Sequence, residues 1–501
     1  MTVTRRFFIG GAASFGALSG CRFFSAPNGL YASGTPNLTF GVVSDIHIDH
    51  VGANEKMGGW GNNLTFRHTL EWFRDQGVDA VMVVGDMADN GMVEQLEAVA
   101  QAWYAVFPDD RAPDGRKVEK LFVYGNHDYH GYLYGDHAEK RFPDAAERAR
   151  HVLRSDLGGW WRKIFHEDYS RLYEKSIKGY TFLGQHWDDG TGMETKYGGC
   201  PFGEELKTYL AAKGKALDPS RPFFYFQHPH PKDTCYGPWA WGHDKGLVTR
   251  ELSAHSNAVA FSGHSHYTLT DERSVWQGAF TSVGTSSLRY TGMPYDSRPP
   301  AGYENTTCEG KKAAFYDALK VMSGYNKGDC RQGMLWKVFE DCIVVQRREF
   351  LSNLFVGPDW VLPLPAAESK PFAFAARAKK AVAPEFPPNA KITLRNVTAK
   401  TRQTAKVPSA KKPAVELAFP AAIAAKGARP FEYEIVAEGA AGKKATFRVV
   451  AEGFNHAPEH RRFSGETICR IAVDRLPAGP VRYTVTPLDC WWNRGQPLTL
   501  G

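Results

Sequence analysis

The sequence predicts an α/β layered domain over residues 34–362 and a small all-β sandwich over 389–501. Three observations carry that expectation. As far as Phe350, short apolar runs alternate with amphipathic stretches, the texture of sheets covered by helices. Five of those runs end within a few residues in Asp, Asn or His, and the carboxyl ends of strands are where α/β folds gather their sites. Beyond Ala390, runs of alternating apolar and polar residues replace them, as half-buried antiparallel strands require.

In chain order, Leu38-Thr39-Phe40-Gly41-Val42-Val43 reads as a strand ending in Ser44-Asp45, and Ala80-Val81-Met82-Val83-Val84 as one ending in Gly85-Asp86. Leu121-Phe122-Val123-Tyr124 leads into Gly125-Asn126. Phe223-Phe224-Tyr225-Phe226 leads into Gln227-His228, and Ala258-Val259-Ala260-Phe261 into Ser262-Gly263-His264. Helices fit between them, over Glu94 to Phe107 and Glu204 to Lys213. Ala279 to Val283 and Met334 to Val338 are later strands, and Trp160 and Trp161 are most simply core. Residues 363–388, rich in Pro, Ala and Lys without periodicity, read as a linker or surface strap. The sandwich strands are expected at Ile392 to Leu394, Phe431 to Val436, Ala445 to Val450 and Val481 to Val485.

Composition narrows the class. With 43% hydrophobic and 23% charged residues, the 501-residue chain is globular rather than disordered or fibrous. Its net charge of +7 is mild, and no Lys/Arg run has the density of a nucleic-acid-binding stripe.

Residues 1–33 have the layout of an export signal and leader. Arg5-Arg6 precede Phe7-Phe8-Ile9 and an apolar, small-residue stretch too short to span a bilayer as a mature helix. The paired arginines followed by Phe8 resemble a twin-arginine signal, which points to the bacterial periplasm or cell surface. Leu18-Ser19-Gly20-Cys21 resembles a lipobox, which would leave Cys21 lipidated and the protein anchored to a membrane; the alternative is an ordinary cleavage near Ala26 or Ala32. None of the other seven cysteines forms a Cys-x-x-Cys pair, so a zinc knuckle is not expected. In an oxidising compartment Cys469 and Cys490 are candidates to pair.

Singly, the polar strand ends say little. Asp45-Ile46-His47 could be a cap or turn, and Gly263-His264-Ser265-His266 two surface histidines. Together they form a series: Asp-x-His, Gly-Asp, Gly-Asn-His-Asp, His228 and Gly-His-x-His, in that order and each at a strand end. Chance assembly of the set is improbable, and imidazole with carboxylate is a donor set for transition metals rather than calcium.

The series resembles that of the calcineurin-like metallophosphoesterase superfamily, over roughly Leu38 to Phe350. The resemblance implies a four-layer α/β fold, a central β-sandwich flanked by helices, carrying two metal ions drawn from Mn, Fe, Zn, Co or Ni. By motif, Asp45, His47 and His266 would hold one ion, Asn126, His228 and His264 the other, and Asp86 would bridge them. It further implies phosphate-ester hydrolysis by a hydroxide shared between ions about 3.5–4 Å apart, with His127 assisting at the substrate and Asp128 orienting its ring. Purple acid phosphatases carry a tyrosine three residues after the bridging aspartate; here Asp89 stands there, which points to the non-purple branch and to hydrogen bonding rather than metal ligation by Asp89.

Around the centre, the loop opened by His228 carries His230, Trp239 and Trp241, which line a cleft for substrate or simply pack the loop. His50 and His130 reach substrate or only solvent. Phosphomonoesters and phosphodiesters are equally compatible with these motifs. The rival from another class is a catalytically silent surface protein whose C-terminal sandwich recognises a glycan or a partner.

Overall fold

The computed structural model describes residues 24–25, 31–32, 34–48, 62–133, 137–187, 202–238, 240–292, 303–304, 331–366, 369–399, 401, 411–424, 429–451, 453–457 and 465–501. The export signal with Cys21, and also His50 and Trp239, lie outside the described residues. Among the described residues, no helix is long and apolar enough to cross a membrane.

Strands β1 (Leu38–Val43), β2 (Ala80–Val84) and β3 (Glu119–Val123) pair in parallel in that order. A second sheet takes β4 (Leu172–Ile177), β5 (Tyr180–Gln185), β6 (Phe223–Phe226), β7 (Ala258–Ser262), β8 (Val275–Gln277) and β9 (Thr281–Gly284), in the order β8-β9-β7-β6-β5-β4. The chain then returns to the other edge of β1 through β10 (Gln332–Val338) and β11 (Cys342–Glu349), antiparallel, with β12 (Leu354–Phe355) and β13 (Trp360–Pro363) completing the first sheet.

The two sheets pack face to face. Along β1, Leu38, Phe40 and Val42 enter the core between them, while Val43 joins the core under the helices. A strand covered on both faces has no solvent side, so its sequence is apolar throughout rather than alternating. Phe40 lies at the centre, its ring 5.4, 5.1 and 6.1 Å from those of Phe182, Phe224 and Phe261. Of the helices, α1 (Asn62–Asp75) and α2 (Val93–Val106) pack beside the parallel half of the first sheet. The short α3 (Asn126–His130) starts directly after β3, and α4 (Leu157–Phe165) buries Trp161 and Phe165. Helices α5 (Glu204–Lys213) and α6 (Leu247–Leu252) place Leu206, Val248 and Leu252 in the same core as Phe223 and Ala260 of the second sheet.

The stretch expected as a linker or strap is fastened to the domain. The backbone N–H of buried Phe372 donates to Gln277 Oε1 at 2.9 Å, and α7 (Phe374–Lys380) sends Arg377 onto Glu272.

The C-terminal unit has two antiparallel sheets. β14 (Thr393–Ala399), β15 (Lys412–Pro420) and β18 (Glu466–Ala472) form one; β16 (Glu432–Gly439), β17 (Lys444–Val450), β19 (Val481–Leu488) and β20 (Leu498–Leu500) form the other. Leu417, Phe419, Tyr433, Ile435, Val449 and Val485 fill the space between them. The expected Cys469–Cys490 pairing is corrected: both are buried free thiols, Cys469 inside this core and Cys490 in a separate cluster with Phe431 and Phe454.

Candidate metal centre

The parallel strands deliver the polar residues to one end of the molecule. Past β1 and β2 the chains keep pairing: Asp45 N–H donates to Gly85 O at 3.0 Å, His47 N–H to Asp86 O at 3.0 Å and Ile48 N–H to Met87 O at 2.9 Å. Asp45, His47 and Asp86 are thereby zipped together before any side chain is considered. Asn126 opens α3, His228 follows β6, and His264 and His266 follow β7. Five of these residues hold left-handed backbone, with φ of 52° at Asp45, 48° at His47, 53° at Asp86, 67° at His264 and 56° at His266. For a non-glycine residue that conformation costs about 1 kcal/mol or more, and such strain collects where function requires it.

The glycines of the motifs supply clearance. At Gly85 (φ 86°) a Cβ would stand 2.3 Å from Nδ1 of His228, and at Gly125 one would stand 2.2 Å from Oδ1 of Asp86. Side chains there would displace the groups the loops exist to present.

Among the described residues three clusters of donor atoms result: His47, Asp89 and His127 form one, and two others share Asp86. Of these two, one holds Asp45, His47, Asp86 and His266; the other holds Asp86, His228 and His264. His266 Nε2 lies 2.9 Å from Asp45 Oδ1 and 3.0 Å from His47 Nε2. His47 Nε2 lies 3.6 Å from Asp86 Oδ2, and His228 Nε2 lies 3.1 Å from the same oxygen. Asn126 is buried at the start of α3, directly before His127, whose backbone N–H donates to Asp86 Oδ1 at 2.8 Å.

The other ring nitrogens explain this convergence. Nδ1–H of His228 donates to Val84 O at 2.7 Å, that of His266 to Tyr290 O at 3.2 Å, and His47 Nδ1 faces Asp89 Oδ1 at 3.0 Å. Fixing Nδ1 as the donor leaves the Nε2 lone pair pointing inward, the usual arrangement of a metal-ligating imidazole. Asp45 Oδ1 and His228 Nε2 are buried without a hydrogen bond of acceptable geometry. Buried lone pairs turned toward one another want a cation between them. The residues present therefore fit a two-ion centre.

Protonation follows the same logic. Burial pulls His47 and His228 down, but the carboxylates of Asp45, Asp89 and Asp86 around His47, and of Asp86 and Asp45 around His228, outweigh it and raise each to about 9. Burial pushes Asp45 and Asp86 up, and the surrounding histidines more than reverse it, leaving both carboxylates well below their usual range. Burial takes His264 down to about 3. Without metal, protons do the work of cations; metal binding would displace them.

Beside the two clusters that share Asp86 stands His127. Burial lowers it to about 4, and its Nδ1–H donates to the backbone carbonyl of Asp89 at 2.7 Å. The neutral ring therefore carries its lone pair on Nε2. Asp128, expected to orient this ring, does something else: its carboxylate accepts the N–H of Ala88 at 2.7 Å, of Gly125 at 2.8 Å and of Met87 at 3.2 Å. Fully buried in α3, it staples the loops of Asp86 and Asn126 together. Burial first, and Asp86 second, raise Asp128 to about 7.

The ring is held instead by Asp89, which also faces His47 and is ion-paired with Arg289. Asp89 hydrogen-bonds, as its position three residues past Asp86 led us to expect. Arg289 was not anticipated, since its loop after β9 carries no motif. Ser44 was not singled out either, although it adjoins a ligand: its Oγ–H bonds Asp45 Oδ2 and reaches Ser286 O at 2.9 Å.

Of the expected substrate contacts, Trp241 is 48% exposed and stacks on His264, ring centroids 4.5 Å apart and planes at 24°. His230 is corrected. It is buried, with its ring nitrogens 2.6 Å from Ser262 Oγ and 2.6 Å from Ser265 Oγ, so it braces the loop from inside. His130 is half-buried, with Arg154 as a charged neighbour.

Residues 38–268 match the family described as calcineurin-like phosphoesterase. Among solved structures, a dimetal phosphatase from Danio rerio is similar at 14% identity, covering 66% of this chain and 99% of its own, with a TM-score of 0.36. A purple acid phosphatase from seeds of yellow lupin (Lupinus luteus) is similar at 11% identity, covering 67% and 58%, with a TM-score of 0.37. Vps29 complexed with zinc from Entamoeba histolytica is similar at 8% identity, covering 65% and 99%, with a TM-score of 0.27. Curated proteins yield no match to this chain.

Proposed function

With the calcineurin-like phosphoesterase match over residues 38–268 as premise, we propose that this protein hydrolyses phosphate esters, mono- or diesters, at a two-metal centre. The observation that carries the reading is the sharing of Asp86 between two donor clusters whose histidines have Nδ1 tied back and Nε2 turned inward. Asp45, His47 and His266 would hold one ion, Asn126, His228 and His264 the other, with Asp86 between them. Two such ions polarise phosphoryl oxygens and lower the pKa of a bound water toward neutrality.

The chain's own groups do the rest. As a ligand, the neutral amide of Asn126, in place of a further carboxylate, would limit the negative charge that an anionic ester would meet. The N–H of His127 holds Asp86 Oδ1 at 2.8 Å and keeps the shared carboxylate aligned. Its Nδ1–H is fixed by Asp89, so the ring presents Nε2 to the substrate. An arriving phosphoryl group raises the proton affinity of that nitrogen and equips it to carry a proton to the leaving oxygen.

We further propose that the protein is exported, to the periplasm or cell surface, with Cys21 as lipid anchor. The C-terminal sandwich, of immunoglobulin or fibronectin type in its alternation and spacing, serves the catalytic domain rather than a glycan.

Metal analysis run beside assays on aryl phosphate mono- and diesters tests this. Turnover that requires metal and disappears in Asp86→Ala is the expected result. A metal-loaded protein inert toward both ester classes would leave the silent binding protein as the better account.

A further inference from the structure

We infer that the C-terminal sandwich is a working part of the metal centre, acting through Gln332 as a positioning residue; this rests on the two-metal reading above. The contact is one turn of the sandwich, residues 453–456, pressed against the loop that follows His264 and His266. Gln332, at the start of β10 and fully buried, joins the two. Its Nε2–H donates to Asn455 O at 2.7 Å. Its Oε1 accepts Leu269 N–H at 2.8 Å, Thr268 Oγ–H at 3.0 Å and Ser286 Oγ–H at 3.3 Å. One amide thus ties the sandwich to the segment just past His266 and to the loop after β9.

That second loop is the one that grips the ligands. Ser286 O takes the Ser44 hydroxyl at 2.9 Å, and the same hydroxyl serves Asp45 Oδ2. Ser287 Oγ–H donates to Asp45 O at 3.1 Å, and Tyr290 O takes the Nδ1–H of His266 at 3.2 Å. A continuous path of buried hydrogen bonds runs from Asn455 through Gln332, Ser286 and Ser44 to Asp45.

The turn is held too firmly for an incidental contact. Thr270 donates to Phe454 O. Directly across the ladder from Gln332, Glu349 is also fully buried and faces His456 Nδ1 at 3.2 Å. Two neighbouring strands of the catalytic sheet therefore end in buried polar residues whose partners belong to the sandwich. A stabilising appendage needs an apolar patch; it does not need amides and carboxylates placed in a dry interface, where every unmet partner is penalised. Such groups fix one geometry at the expense of raw stability, and the geometry fixed here leads to Asp45 and His266.

The test uses the full-length chain and Co²⁺ alone as probe, read by titration and by the visible spectrum of the bound ion. Gln332→Met keeps the volume and removes the bonds. It is expected to weaken Co²⁺ binding by about tenfold and alter the spectrum, as loss of outer-shell support does, and to lower kcat on an aryl phosphate ester with KM little changed. Val485→Ala, in the sandwich core and off the path, is expected to lower the melting temperature and leave Co²⁺ affinity intact. If Gln332→Met does not fold, Thr270→Val, nearly isosteric and stripped of its hydroxyl's bonds to Phe454 O and Thr268 Oγ, is expected to weaken Co²⁺ binding in the same direction. Wild-type affinity in the folded variant, or an equal loss in Val485→Ala, overturns the inference. A wild-type protein that binds Co²⁺ but hydrolyses no ester sinks the phosphoesterase reading instead, and the Co²⁺ comparison still decides this one.

Discussion

Oδ1 of Asp89 lies 3.0 Å from Nδ1 of His47, so the residue three places beyond the shared carboxylate of Asp86 sets the tautomer of a ligand on the neighbouring strand end. The same residue holds His127, but through its backbone carbonyl. Asp89→Ala therefore removes the brace on His47 and the ion pair with Arg289, while the backbone bond that holds His127 remains. Metal affinity should fall by roughly 10- to 100-fold, the range found when a ligand's outer-shell partner is lost. At saturating metal, much of kcat should return. A titration with Mn²⁺ or Co²⁺ followed by assays at high metal separates the two; unchanged affinity would show that His47 needs no such brace.

Gly85→Ala should be more damaging than its size implies. The position has φ 86°, and the new Cβ would meet His228 Nδ1 at 2.3 Å, where that nitrogen bonds Val84 O. The conformational penalty alone is about 1–2 kcal/mol. Moving His228 should then empty one of the two ion sites. Metal analysis is expected to find about half the wild-type content in folded protein, and a full complement would mean that the loop yields without disturbing the ligand.

Much of this was legible in the sequence for a physical reason. Parallel strands covered on both faces leave solid apolar runs, and strand ends at a site leave Gly-Asp or Gly-His, so Ala80–Val84 with Gly85-Asp86 announces itself. Both ion clusters assemble residues named from those strand ends. Edge and antiparallel strands such as Leu172–Ile177 carry Glu and Lys among their apolar residues and gave no comparable signal. Lys412–Pro420 and Glu466–Ala472 were missed likewise, the first masked by its two prolines. Asp128 misled because adjacency to His127 in sequence is not adjacency of side chains on a helix. Arg289 and Gln332 act across 200 or more residues of chain from Asp89 and Asp45, and no local pattern encodes such a partner.

Acid should destabilise the fold partly through His186. This residue is fully buried among Tyr124, Trp161, Tyr169 and Tyr173, and its Nδ1 accepts the N–H of Tyr124 at 3.1 Å. Burial takes it down to about 3. Neutral imidazole is thus the native form, while the unfolded chain takes up a proton near 6.5. Its contribution is intact above that pH and is lost as pH falls toward the folded value, by roughly 2 kcal/mol at pH 5. His186→Asn keeps an acceptor for Tyr124 and cannot titrate. Urea melts between pH 7.5 and 5 should give the variant a lower stability at neutrality but a shallower decline on acidification. Parallel curves would assign acid sensitivity elsewhere.

Trp241 offers a handle on substrate choice. It is 48% exposed, and it stacks on His264 at 4.5 Å, so a planar group of a bound ester that reached it would lie beside a ligand of the second ion cluster. Aromatic stacking contributes about 0.5–1.5 kcal/mol beyond area burial, or roughly 2- to 12-fold in affinity. Trp241→Ala should accordingly raise KM for an aryl phosphate ester by that factor and leave KM for a methyl ester of the same charge unchanged. Trp241→Phe, which retains a stacking face, should recover most of the difference. The competing outcome is an equal drop in kcat on both esters, which would make Trp241 a support for His264 rather than a platform for the leaving group. Measuring the two esters side by side on each variant distinguishes these, because a lost platform discriminates between leaving groups and a lost support for the metal ligand does not.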